Sequence, residues 1–417
     1  MRRIYFFVCI IVLCCINSAQ AHLPCPVNAR GVLQCDAEVK SSYKKSVSLH
    51  FDVNSREESY AARMLTKSLQ ERGYVINANS GDYSIKFFID KRGYDAEAFA
   101  IIPEGNVIKI IGGDYRGLIY GALSLSEDLR NEILLDNAVA RSEKPKLMLR
   151  AVKYDLPWDT YRHSEALNLH DETCRDPKYW EAFLDMMAEN RLNALSLWNL
   201  HPYPFMIIPK NYPEASPFTK EEFKEWQKLF QSIIGMAAER AIETYLIPFN
   251  IFVTPEFSVA HNVAMDNLDH HFYVRGETAQ IVKDYTRECV TQVLEEYPDL
   301  TGFGLTLGEG MAGMTPQERE AWMTETIIEG MRRANRPSKL VHRVPFSSTT
   351  ESLGNTSVET ERITRASIER EADMGFTEGP IFADFKFNWS HSLSTPKLIK
   401  VHGGPLYDTY FNPVSDK

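Results

Sequence analysis

The chain carries two regimes of hydrophobic spacing. In the first, short alternating runs mix with helical stripes. Ser46 to Val53, SVSLHFDV, alternates apolar and polar positions and predicts a half-buried strand. Arg56 to Arg72 places Ala61, Leu65 and Leu69 at helical spacing, with Ser55 to cap the helix and Gly73 to stop it. Tyr83 to Asp90 predicts a second strand, and Ala98 to Pro103 with Asn106 to Gly112 predict a hairpin around Glu104-Gly105. After Gly113-Asp114, Leu118, Ala122 and Leu125 mark a second helix over Tyr115 to Asn131. Together these predict a small α+β domain with two helices over one face of a sheet.

The second regime begins after Ala138 to Lys146, a polar stretch with Pro145 that reads as a linker. Apolar strands now alternate with helices, at roughly forty- to sixty-residue spacing, as βα units do. Strands are expected at Leu149 to Leu156, Ala194 to Asn199, Glu243 to Phe249, Thr301 to Leu307, Lys339 to Pro345 and Ile381 to Asn388. The helix before the second of these has Asp176 as cap, Pro177 at its first position, and Trp180, Phe183, Leu184 and Met187 on one face. Thr278 to Glu296 and Pro316 to Ala334 fit the same role further on. The fold class expected is α/β: the small α+β domain, then a TIM-type (β/α) barrel with about six strands present. A closed barrel needs eight. The chain ends at Lys417 near a possible seventh, so an N-terminal portion of a longer protein, or a barrel completed from elsewhere, is expected.

Residues 1–21 stand apart from both regimes. Arg2 and Arg3 precede an apolar run, Ile4 to Ile16, and Ala19-Gln20-Ala21 is a small-x-small cleavage site. The expected organisation is a cleavable signal peptide at 1–21, the α+β domain at 22–140 and the incomplete catalytic-type barrel at 147–417. A secreted or periplasmic location follows, with no membrane association after cleavage. In an oxidising compartment Cys25 and Cys35 could close a short loop, while core or free thiols are the default for Cys174 and Cys289. A formal net charge of -10 without a Lys/Arg cluster argues against a nucleic-acid partner or an anionic membrane surface. No metal-ligand spacing is present, and neither a metal nor a cofactor is expected. The oligomeric state is not legible.

The chemistry concentrates where strands end. In Leu300 to Met311, LTGFGLTLGEGM, a buried strand runs into Gly308-Glu309-Gly310, a carboxylate between two glycines that let a ligand approach the backbone. In (β/α) barrels active-site groups sit at such C-terminal strand ends. The last strand, FADFKFNWSH, puts Asp384, Lys386 and Asn388 on one face and Phe385, Phe387 and Trp389 on the other. Trp158 follows the first strand, and Trp198, Asn199 and His201 end the second. Aromatic faces stack on sugar rings, while Asn, His and carboxylates bond hydroxyls. A carbohydrate substrate is therefore expected, with Glu309 and Asp384 as the two carboxyls that glycoside hydrolysis needs. Arg343 and Lys386 are candidates to hold a uronate carboxylate. Each candidate has a second reading. Asp384 could pair with Lys386 or Arg343, Trp198 and Trp389 could be core aromatics, and His201 could fix its loop. Asp155 and Glu256 are weaker acidic candidates.

Two segments resemble known families. Ile108 to Arg130, IKIIGGDYRGLIYGALSLSEDLR, resembles the small N-terminal domain that precedes the barrel in α-glucuronidases and family 20 hexosaminidases. GFGLTLGEGMAG resembles the fourth-strand region of the family 67 α-glucuronidases. That resemblance implies that Glu309, followed by Gly310, is the general acid of an inverting mechanism. FADF, Phe382 to Phe385, looks like the strand that carries a base carboxylate, here Asp384. Family 20 enzymes place an Asp before the Glu. Here Gly308 stands in its place, which argues against hexosaminidase chemistry. VHRVPFSS, Val341 to Ser348, lacks the acidic residue the α-glucuronidases carry near the fifth strand, leaving the base open. The expected function is a secreted glycoside hydrolase on a polysaccharide or oligosaccharide, with uronic acid as the candidate sugar. The alternative is a non-catalytic carbohydrate-binding protein or an inactive portion of a longer hydrolase.

Overall fold

The computed structural model describes residues 45–78, 80–158, 165–263, 278–307, 311, 313–343, 358–384, 400–401 and 404–405. The leader and the Cys25/Cys35 pair lie outside these residues.

The first sheet has six strands: β1 (Ser46–His50), β2 (Val75–Ile76), β3 (Tyr83–Ile89), β4 (Phe99–Glu104), β5 (Val107–Gly112) and β6 (Arg141–Glu143). Their order is β2-β1-β3-β5-β4-β6. β1 runs parallel to β2 and β3, and β3 to β5, while β4 is antiparallel to both its neighbours. Gly105 turns the β4–β5 hairpin at φ 61°, a left-handed conformation that suits glycine. Helices α1 (Arg56–Glu71) and α2 (Tyr115–Arg130) start where the sequence places them. The Ser55 side chain accepts from the Glu58 amide, and that of Asp114 from the Gly117 amide. Leu65, Leu69, Leu118 and Leu125 then pack with Val47, Ile85, Ile108 and Ile110 in one buried core. The stretch expected as a linker departs from expectation. Within it β6 adds an edge strand to β4, held by Arg141, which reaches Asp128 at 2.7 Å and Ser124 Oγ at 2.9 Å.

The second sheet is all parallel, ordered β12-β11-β10-β9-β8-β7. Its strands are β7 (Ala151–Asp155), β8 (Ala194–Asn199), β9 (Glu243–Pro248), β10 (Gly302–Thr306), β11 (Lys339–Arg343) and β12 (Phe382–Asp384). The connections carry α3 (Glu165–Arg175), α4 (Pro177–Glu189), α5 (Lys220–Glu239), α6 (Pro255–His261), α7 (Gln280–Glu296), α8 (Pro316–Met323), α9 (Glu329–Arg333) and α10 (Val358–Asp373). A two-stranded antiparallel pair follows, β13 (Lys400–Val401) and β14 (Gly404–Pro405). The fold class is thus the α/β one expected: a small mixed sheet, then six parallel strands curled as part of a TIM-type barrel. Several elements lie beyond the expected ones, among them β2, α3, α5, α6 and α10. Helix α5 starts at a Thr219/Glu222 capping box and buries Phe223, Trp226, Phe230, Ile233 and Ala237. Between α8 and α9, Thr324–Ile328 widens into a π-turn, where Thr326 Oγ1 donates to the Trp322 carbonyl at 2.6 Å.

Strand periodicity sorts the side chains of the parallel sheet. Leu195, Leu197, Leu246, Phe303, Leu305 and Leu340 face the helices and join the main core. Ala194, Trp198, Tyr245, Ile247 and Phe249 form a separate buried cluster on the concave face, with Val341 against it. On β10 the concave positions are Gly302, Gly304 and Thr306. A Cβ at Gly302 would lie 1.8 Å from the Lys339 carbonyl oxygen, and one at Gly304 would lie 2.8 Å from Ile247 Cδ1. These glycines let β10 sit close to β9 and β11.

A charged cluster joins the two sheets where the parallel strands begin. Glu97 of the small domain pairs with Arg116 and Arg150 and accepts from Asn193 Nδ2 at 2.8 Å. Arg116 reaches on to Glu243 at 3.2 Å, and Glu243 also pairs with Lys339 at 2.7 Å. The small domain is thereby fixed to the N-terminal ends of β8, β9 and β11. The opposite ends, where loops leave the strands, face away from this seam.

Candidate active site

Parallel pairing puts Thr306, Arg343 and Asp384 side by side at the C-terminal ends of β10, β11 and β12. The neighbouring strand end is pinned to them. Thr306 Oγ1 donates to the Pro248 carbonyl at 2.7 Å, and Asn250 Nδ2 donates to the Thr306 carbonyl at 2.6 Å. Arg343 is 6 % exposed, with its guanidinium 5.2 Å from the centre of the Trp198 ring. Lys153 of β7 also approaches that ring, at 4.3 Å, and contacts Asp155 Oδ1 at 3.2 Å. Asp384 is exposed at the end of its strand.

Trp198 does not offer an open platform. It is 5 % exposed, its Nε1 donates to Ser196 Oγ at 2.9 Å, and Phe249 meets it edge-on at 5.7 Å. Two cations already lie against its ring, so it orders charges on the concave face rather than stacking a sugar there.

Three other candidates point the opposite way, into the helix layer. Trp158 packs on Trp226, with ring centres 4.8 Å apart, and on Phe205 and Phe230. Asn199 Nδ2 donates to the Trp158 carbonyl at 2.6 Å, and its Oδ1 accepts from the His201 amide at 3.0 Å. His201 Nε2 lies 2.9 Å from the Tyr285 hydroxyl of α7. Burial pulls the His201 pKa down to about 3, which keeps the imidazole neutral. These contacts tie Trp158, Asn199 and His201 into the loops after β7 and β8. Glu256 sits exposed in the first turn of α6.

Glu309, Lys386, Asn388 and Trp389 lie outside the described residues. In sequence, Leu307 and Gly308 separate Glu309 from the end of β10. Lys153 and Thr306 are not among the expected site residues. Their signal is period two: Lys153 shares a face with Asp155, and Thr306 with the two β10 glycines. Among the described residues no three His, Cys, Asp or Glu side chains form a group able to hold a metal ion. None of the described helices is long and apolar enough to cross a membrane.

No protein-family model matches the sequence, and comparison with curated proteins finds no match. Solved structures do match. A family 138 glycoside hydrolase targeting pectin rhamnogalacturonan II is 23% identical with a TM-score of 0.68, over 85% of this chain and 50% of its own. A mutant β-hexosaminidase of Streptomyces plicatus, in complex with its product GlcNAc, is 13% identical with a TM-score of 0.52, over 82% of this chain and 70% of its own. The family 20 β-N-acetylhexosaminidase of Streptomyces coelicolor gives the same identity and TM-score, over 82% of this chain and 72% of its own. These likenesses establish a shared fold. The chain spans about half the length of the rhamnogalacturonan-targeting enzyme.

Proposed function

We propose that this chain carries the catalytic face of a glycoside hydrolase that acts on a uronic-acid-containing polysaccharide. One observation carries the reading: parallel register sets Arg343 and Asp384 side by side at the C-terminal strand ends, next to the strand that Glu309 follows in sequence. Those ends are where (β/α) barrels place their chemistry. The structural neighbours named above are glycoside hydrolases, and one of them targets pectin rhamnogalacturonan II. A guanidinium suits a planar carboxylate, which assigns Arg343 to the uronate. The α-glucuronidase-like form of the proposal rests on the sequence motif GFGLTLGEGMAG alone. The leader adds a secreted or periplasmic location to the same proposal.

In this mechanism Glu309 gives its proton to the glycosidic oxygen as the bond to the anomeric carbon breaks. Asp384 takes a proton from the water that attacks that carbon. The products are the free sugar acid and the shortened chain.

The test is hydrolysis of aryl uronides with leaving groups of graded acidity. Glu309→Gln should lose about 10²–10⁴-fold on poor leaving groups and far less on dinitrophenol, which departs without a proton. Asp384→Asn should lose rate on every substrate. Equal losses across the series in Glu309→Gln would remove Glu309 as the acid. Equally fast hydrolysis of neutral glycosides would remove the uronate preference.

A further inference from the structure

The concave face holds a charge pair that the catalytic reading does not use. Lys153 and Asp155 both point onto this face from β7, two residues apart. Asp155 is the register partner of Trp198, and Lys153 that of Ser196, which accepts the Trp198 indole proton. Trp198 is thus approached by Lys153 from the adjacent strand β7 and by Arg343 from across the sheet. The two sides differ in access. Arg343 is nearly covered, whereas the side chains of Lys153 and Asp155 keep 41% and 22% of their surface exposed.

Lys153 Nζ and Asp155 Oδ1 form an ion pair at 3.2 Å whose two side chains are both partly open to solvent. A partly exposed ammonium beside a partly exposed carboxylate matches a sugar hydroxyl, which must donate and accept at once. Both contacts would be charge-assisted, the stronger kind of hydrogen bond.

We propose that Lys153 and Asp155 form a specificity-determining pair that binds a hydroxyl of the sugar whose carboxylate Arg343 holds. This deepens the function proposed above and rests on it. The sugar spans the concave face, its hydroxyl edge toward β7 and its acidic group toward β11, with Trp198 fixing the spacing between the two readers.

The experiment is calorimetric binding to the full chain carrying Glu309→Gln, with two probes: an oligogalacturonide and its carboxyl-reduced, neutral counterpart. Lys153→Met and Asp155→Asn should each weaken both probes by about tenfold or more, because the hydroxyl is common to them. Lys153→Arg should restore most of the loss. Arg343→Met should weaken only the charged probe. Unchanged binding of both probes by Lys153→Met and Asp155→Asn overturns the pair while leaving the function standing. Loss of only the charged probe also overturns it, since Lys153 would then read the carboxylate. A parent chain that binds neither probe overturns both proposals. Thermal melting checks the fold. Should Asp155→Asn melt early, the comparison of Lys153→Met with Lys153→Arg decides alone.

Discussion

Arg116 of the small domain and Glu243 at the start of β9 meet at 3.2 Å across the seam between the two sheets. The Glu243 carboxylate is 17% exposed, and Tyr245 donates its hydroxyl proton to Glu243 Oε2 at 2.6 Å. Burial by itself would raise the Glu243 pKa. Hydrogen bonds from Lys339 and Tyr245, with the charges of Arg116 and Lys339, outweigh it and hold the pKa below its ordinary value.

Glu243→Gln should therefore destabilise the fold by about 3 kcal/mol at neutral pH, since the change takes the counter-charge from Lys339 and leaves Arg116 with Glu97 alone. The sign with pH follows from the lowered pKa. The Glu243 contribution is complete above its ordinary value of 4.5 and is lost as pH falls through the lower folded value. Urea denaturation of both proteins from neutral to acid should show the gap closing below that point. A gap that stays constant would show that the charge of Glu243 contributes nothing.

His201 gives a second dependence in a different window. Its folded pKa is near 3 and its ordinary value is 6.5, so between them the unfolded chain binds a proton that the folded chain refuses. Stability should fall by roughly 1.4 kcal/mol per pH unit on acidification through this window. The pH profiles of wild type and His201→Gln should diverge in slope below 6.5. Parallel profiles would mean that the imidazole takes up its proton in the fold.

The β10 glycines differ in what an added methyl would strike. At Gly302 it meets the backbone of Lys339, and at Gly304 the end of a flexible side chain. Gly302→Ala should cost about 1–3 kcal/mol or more, and Gly304→Ala clearly less. Equal costs in chemical denaturation would contradict the close approach of β10 to β11.

Most strands of the parallel sheet were legible because both their faces are buried, which makes continuous apolar runs with recognisable ends. Ala194 to Asn199 coincides with β8 residue for residue. β6 was hidden because RSE has no apolar residue. Its place comes from pairing with β4 and from the Arg141–Asp128 contact, neither of which is local in sequence. At the site, strand-end position was legible but direction was not. Asn199 and Trp198 are neighbours in sequence, yet one turns to the helices and the other to the concave face. Only the register of β8 with β7 and β9 decides which.

The seam at Glu243 and the C-terminal end of the same sheet have an engineering consequence. From Glu243 to Pro248 the chain climbs the length of β9, about 17 Å at the usual strand rise. Sites this far apart usually contribute additively. The molecule thus has a foot and a head that can be tuned separately: reinforcing charges at the foot should raise robustness without touching residues 153, 155 and 343 at the head, where the proposed sugar contacts would be exchanged.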